Sequence, residues 1–105
     1  MKVRFSKPFM KAVRKLSGKQ KDSVIHVIDE VMKARCVEEI TDCIRLAGYA
    51  NVYRIRIGGL RAFFTFHVEI IEGVVHFQYL ISRGQAYTKK IEKELKRIDN
   101  EGATS

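Results

Sequence analysis

Between Val52 and Ile81 the chain passes through three β-branched and aromatic runs, 52–57, 60–71 and 74–81, broken by Gly58-Gly59 and by Glu72-Gly73. Alternation with a period of two marks half-buried strands. Two-residue loops containing Gly are the strongest local hairpin signal, so the spacing predicts an antiparallel meander. A small sheet has no core until something covers a face. The flanking segments must therefore supply the cover. Ser6 as an N-cap and Pro8 in the first turn predict a helix with Phe9, Val13 and Leu16 on one side, ended by Gly18. A second helix is predicted from about Lys19 to Arg35, burying Val24, Val27, Ile28, Val31 and Met32. A short strand at 2–5 precedes them, and 37–51 reads as a connecting loop. A last helix at 85–98 places Tyr87, Ile91, Leu95 and Ile98 on one stripe. The expected order is β-α-α-β-β-β-α, an α+β fold. It has a four-stranded, antiparallel-dominated sheet, a helical hairpin on one face and a C-terminal helix. One domain spans 1–98, and 99–105 reads as a frayed polar tail.

The hairpin turns set a register. With Gly58-Gly59 as the first loop, Arg56 lies opposite Arg61 and Arg54 opposite Phe63. With Glu72-Gly73 as the second, Ile71 lies opposite Val74, Glu69 opposite His76 and His67 opposite Gln78. Tyr53, Ile55, Ile57, Phe64, Phe66, Val68, Phe77, Tyr79 and Ile81 then share an apolar face. Arg54, Arg56, Arg61, Phe63, Thr65, His67 and Gln78 share the other. Like charges opposite one another across a strand pair are destabilising. Solvent screening with guanidinium stacking explains such a pair, and so does an anion site, since the planar forks match phosphate oxygens. Phe63 among them is either a ring covering the sheet or a surface on which a base stacks.

Charge bears on the choice. Twenty Lys and Arg against twelve Asp and Glu give a formal net charge of +8 in 105 residues. That favours a polyanionic partner: nucleic acid, an acidic protein or an anionic membrane surface. The excess is uneven: residues 1–21 contain Lys2, Arg4, Lys7, Lys11, Arg14, Lys15, Lys19 and Lys21 and no acid. No apolar run is long enough to span a membrane, and no secretory signal is expected. Cys36 and Cys43 supply neither a disulfide framework nor a four-ligand zinc site, and read as reduced cytosolic thiols. His26, His67 and His76 fall on different elements with no shared face, which excludes a three-histidine zinc site. No cofactor is expected, and the expected location is the cytoplasm.

Leu46-Ala47-Gly48-Tyr49 leading into Tyr53-Arg54-Ile55-Arg56-Ile57-Gly58, then Leu60-Arg61, and finally Ile81-Ser82-Arg83 with Tyr87, resembles the RelE/ParE superfamily of toxin–antitoxin toxins. The likeness covers nearly the whole chain. It implies a small cytosolic toxin held inactive by a cognate antitoxin in a hetero-oligomer. For RelE-like members it implies cleavage of mRNA on the ribosome; ParE-like members instead poison DNA gyrase. Arg54 and Arg56 match the family's paired basic positions, Arg61 the arginine after the hairpin turn, Arg83 the arginine after the last strand, and Tyr87 the late tyrosine. Two departures stand out: arginines replace the lysines some RelE members carry at 54 and 56, and Ser82 stands where many relatives have His or Lys.

RNA cleavage through the ribose 2′-hydroxyl needs a base, cations for the charge on the phosphorane and an acid for the 5′-oxygen. Arg54, Arg56, Arg61 and Arg83 are the candidate cations, with Arg61 and Arg83 expected to be the most costly to lose. Arginine effectively cannot deprotonate, so Tyr87 and His67 remain for proton transfer. The expected function is a ribosome-dependent mRNA endoribonuclease toxin. The alternatives are a ParE-like gyrase inhibitor and a member of the fold that binds nucleic acid or a partner without catalysis.

Overall fold

The computed structural model describes residues 1–69 and 72–104, with side chains to residue 100. The elements are β1 (Lys2–Phe5), α1 (Lys7–Arg14), α2 (Gly18–Lys33), β2 (Cys43–Arg45), β3 (Val52–Ile57), β4 (Leu60–Glu69), β5 (Glu72–Ser82) and α3 (Lys89–Thr104). Single 3-10 turns lie at Val37–Glu39 and Arg83–Gln85. The sheet runs β1-β5-β4-β3-β2, with β1 parallel to β5 and every other pair antiparallel. Among the described residues no helix is long and apolar enough to cross a membrane.

Local chemistry accounts for the helical hairpin. The Ser6 hydroxyl oxygen accepts from the Phe9 amide at 3.1 Å, capping α1, and its own proton goes to the Gln78 carbonyl at 2.6 Å. One side chain thus starts a helix and fastens it to β5. Phe9, Val24 and Val31 descend from α1 and α2 onto Ile55, Ala62, Phe64, Val75 and Phe77, forming the larger core. Phe9 meets Phe77 at 5.0 Å between ring centroids, and Tyr53 stacks on Phe64 at 5.1 Å.

Four expectations are corrected. The connecting loop contains a fifth strand, β2, paired with β3 through Ile44↔Arg54. Three residues are too short to show a period, which hid it. The β4–β5 register also differs. Glu69 pairs with Glu72, His67 with Val74 and Thr65 with His76, so Glu72-Gly73 belongs to β5 and is not the loop. The expected Ile71–Val74 pair lies outside the described residues. Gly73 serves packing here: a Cβ on it would meet the Phe66 ring at 2.8 Å. Glycine in a strand interior marks such close approaches as well as turns.

A bulge supplies the third correction. Phe63 pairs with Tyr79 but Phe64 with Phe77, leaving Gln78 without an opposite residue. The extra residue reverses the alternation beyond it. Leu80 therefore joins the core under α1 and α2, while Tyr79 and Ile81 turn to the α3 side. The β3–β4 register holds as expected, with Ile57↔Leu60, Arg56↔Arg61 and Arg54↔Phe63. Gly58 takes the φ of +58° that its tight loop needs.

Finally, α3 begins at Lys89 and runs to Thr104, so residues 99–104 are helical and not a frayed tail. Asp99 closes against the β2–β3 loop, its carboxylate accepting from the Ala50 amide at 3.0 Å and the Asn51 amide at 2.7 Å. Tyr79 donates to Glu94 at 3.0 Å, and Arg97 lies 2.9 Å from the same carboxylate. Those two partners, Arg97 first, hold the Glu94 carboxyl below its ordinary range. Val52, Phe63, Ala86, Leu95 and Ile98 form a second, smaller core beneath α3.

Candidate functional site

The α3 side of the sheet carries the arginines. Arg54 and Arg56 project from β3, and Arg61 from β4 beside Arg56. Arg61 is only 8% exposed, and its Nη1 donates to the Gly58 and Leu60 carbonyls at 2.8 Å each. It braces the hairpin turn it follows. Arg61, one of the two arginines expected to be the most costly to lose, is therefore a buried and partnered cation. Arg54 Nη1 donates to the Tyr87 hydroxyl at 2.9 Å. The Nε atoms of Arg54 and Arg61 are both buried and have no hydrogen-bond partner among the described residues. Unpaired buried donors on charged groups are costly, so an acceptor reaching them gains more than at an exposed arginine.

Arg56 is held differently. Its amide donates to the Asp42 carbonyl at 3.2 Å, and its guanidinium lies 3.6 Å from the Asp42 carboxylate. Asp42 has φ +56°, a left-handed conformation that aspartate tolerates better than most residues. Arg83 lies past the end of β5, where its amide donates to the Gly59 carbonyl at 2.8 Å. The ladder thereby continues to the turn that Arg61 braces. The Arg83 side chain is exposed, with no recorded partner among the described residues. Tyr87 sits ahead of α3, not on its first turn, and is 62% exposed. It does not enter the stripe expected for it.

Two expected members are not in the cluster. Phe63 is fully buried under α3, so its ring is not available to stack on a base. His67 lies six residues from Arg61, about 20 Å at roughly 3.3 Å per strand residue. It faces Glu69 at 3.3 Å, and Glu69 in turn pairs with Arg4 at 3.0 Å. The hydrogen bond from His67, then Arg4, holds the Glu69 carboxyl below its ordinary range. His67 thus belongs to a surface ion-pair group at the other end of the sheet. No group of three or more His, Cys, Asp or Glu among the described residues is placed to hold a metal ion.

Sequence reasoning missed three contributors. Asp42 lay in the supposed loop, and Asp99 in the supposed tail; no helix-stopping residue falls between Ile98 and Gly102, which was the available signal. The third is a cleft of about 310 Å³ beside the arginines, floored by Phe63, with Leu46, Ala47 and Tyr49 on one side and Tyr87, Glu92 and Leu95 on the other.

Comparisons with known proteins agree with this architecture. No protein-family model matches the chain. A curated toxin named RelE3, from Methanocaldococcus jannaschii, is 27% identical over 88 residues, covering 83% of this chain and 96% of the relative. The archaeal RelE in a RelE–RelB complex from Pyrococcus horikoshii superposes with a TM-score of 0.64 at 25% identity, over 81% of this chain and 97% of that one. The isolated RelE toxin of E. coli gives 0.64 at 20% identity, over 92% and 97%, which is a likeness of fold. By sequence likeness and by fold together, the chain resembles the RelE toxins.

Proposed function

We propose that the chain is the toxin of a type II toxin–antitoxin pair, acting in the cytoplasm as a ribosome-dependent mRNA endoribonuclease and silenced by a cognate antitoxin. The observation that carries the reading is the Arg54–Tyr87 hydrogen bond, set beside the unpaired Nε–H groups of Arg54 and Arg61. A phosphate drawn to those donors and to Arg83 comes to rest next to a phenol held by a cation. The ribose 2′-hydroxyl gives its proton to solvent water as its oxygen attacks the adjacent phosphorus, the bond to the 5′-oxygen breaks, and the guanidinium groups offset the charge gathering on the phosphoryl oxygens. Because Arg54 donates to the phenol oxygen, the proton of Tyr87 remains free to pass to the departing 5′-oxygen. His67 is too distant to share in this chemistry, and Tyr87, whose hydroxyl accepts from Arg54, is the candidate acid. Likeness to a curated RelE toxin and to a RelE bound to RelB supports the toxin and antitoxin roles.

The test uses purified chain, ribosomes and a defined mRNA, with cleavage mapped by primer extension. Tyr87→Phe keeps the ring and removes the proton; at least a hundredfold slower cleavage is expected, within the usual range for one general acid. Arg83→Ala is expected to lose cleavage while folding normally. If both variants cleave at the wild-type rate, the ribonuclease reading fails. Growth arrest with gyrase inhibition and no mRNA cleavage would move the protein to the ParE-like reading.

A further inference from the structure

The edge strand β2 has only three residues and buries little of itself. What it brings to the arginines is the residue ahead of it. Cys43 pairs with Ile55 and Ile44 with Arg54, so Asp42 arrives beside Arg56. The attachment is double: the Asp42 carbonyl accepts from the Arg56 amide at 3.2 Å, and the carboxylate lies 3.6 Å from the Arg56 guanidinium. Holding both ends of one residue takes an unusual backbone. Among the described residues, Asp42 is the non-glycine residue with a positive φ, at +56°. Such conformations persist only where the surroundings require them, and they collect at functional sites. Among the described residues Asp42 is also the acid that ion-pairs with an arginine of the cluster.

Position decides what that ion pair does. In the sheet, β3 lies between β4 and β2. Arg61 faces Arg56 from β4, and Asp42 flanks it from the β2 side. Two guanidinium groups directly across a strand pair repel one another. Asp42 draws Arg56 the other way, toward the sheet edge.

We propose that Asp42 is a positioning residue for the RNA-cleaving cluster, anchoring the Arg56 guanidinium on the β2 side so that a phosphate meets Arg56 and Arg61 as two cations at fixed places. This rests on the ribonuclease reading above and adds a residue to it. Asp42 touches no reacting atom and acts through Arg56. Its anchoring and its charge work in opposite directions. A cation fixed in place beforehand lowers the barrier, because nothing has to reorganise as charge builds on the phosphoryl oxygens. A carboxylate beside the phosphate path weakens binding of the strand. Asp42 thus gives up affinity for rate, which favours turnover once the substrate is bound.

The experiment compares the full chain with Asp42→Asn, Arg56→Ala and the double variant. Asparagine matches aspartate in shape and tolerates the left-handed backbone, so Asp42→Asn removes the charge and keeps the fold. Relaxation of the arginine Nε–H NMR signals in the free chain is expected to show Arg56 more mobile in Asp42→Asn than in the wild type. Single-turnover cleavage of a defined mRNA on ribosomes is expected to lose about two- to fivefold in maximal rate, the range of an exposed ion pair. Half-saturation is expected at a lower concentration, a split that a general loss of structure does not produce. In the Arg56→Ala background the same substitution is expected to cost no further rate. Equal mobility of Arg56 with and without the carboxylate overturns the proposal, whether or not the chain cleaves RNA. An equal loss of rate in the Arg56→Ala background overturns it too, because Asp42 would then not act through Arg56. So does half-saturation at a higher concentration, since the carboxylate would then be aiding binding. A wild-type chain that cleaves no mRNA fails the ribonuclease reading alone, and the relaxation measurement still decides whether Asp42 holds Arg56.

Discussion

The two faces of the sheet make opposite use of the same strands. On the α1–α2 side, Phe9, Phe64 and Phe77 interlock with aliphatic side chains, and the layer is closed. On the α3 side a smaller core covers part of the face, and the remainder holds arginines, two of them with buried Nε atoms that lack partners among the described residues. The first arrangement gains from burial and dispersion. The second forgoes some of that gain and keeps cations close together, where only an anion offsets their repulsion. The closed core and the arginine cluster are thus divided between faces separated by one sheet thickness.

The largest expected effect breaks the closed side. Phe77→Ala removes a fully buried ring in contact with Phe5, Phe9 and Phe64. It should cost about 3–5 kcal/mol in denaturant unfolding. A loss below about 1 kcal/mol would mean that the aromatic cluster does not dominate the core.

Next is the attachment of α3. Asp99→Ala removes two charge-assisted hydrogen bonds to backbone amides of the β2–β3 loop and should cost about 1–3 kcal/mol. It should also raise amide hydrogen exchange at Ala50 and Asn51, with protection in β4 and β5 retained. Uniform loss of protection would show the two faces to be one cooperative unit.

Arg83→Ala sharpens the comparison from the other direction. An exposed side chain without a partner among the described residues should change stability by about 0.5 kcal/mol or less. Arg61→Ala should cost more, because Arg61 is buried and braces the Gly58-Gly59 turn. Equal losses of stability in the two variants would contradict that division of roles.

The smallest perturbation leaves the sequence unchanged. Burial against the closed core pushes the Cys43 thiol up to about 11, whereas Cys36 is exposed. With a thiol reagent at pH 8, Cys36 should react first and Cys43 much later, since the thiolate is the reacting species. Equal rates would show that the β2 edge opens readily.

The sequence by itself determined the order of every element except β2, the helical hairpin with its Ser6 cap, the β3–β4 register and the placement of Arg54, Arg56 and Arg61 on one face. These depend on contacts within a few residues, or across one two-residue loop whose glycines have little alternative. Tertiary structure alone decided the rest. Gly73 reads as a turn until the Phe66 ring is seen packed against it. The bulge at Gln78 reversed the facing of Tyr79, Leu80 and Ile81, and nothing local in 77–81 announces it. Phe63 is buried because α3 lies over it, and that helix runs on past Ile98 to anchor itself through Asp99. His67 pairs with Val74 instead of Gln78 because Glu69 pairs with Glu72 and Glu72-Gly73 lies within β5. Periodicity reports which residues alternate. Which neighbours an alternating residue meets is set by packing between segments distant in sequence, where one inserted residue or one covering helix reverses the outcome.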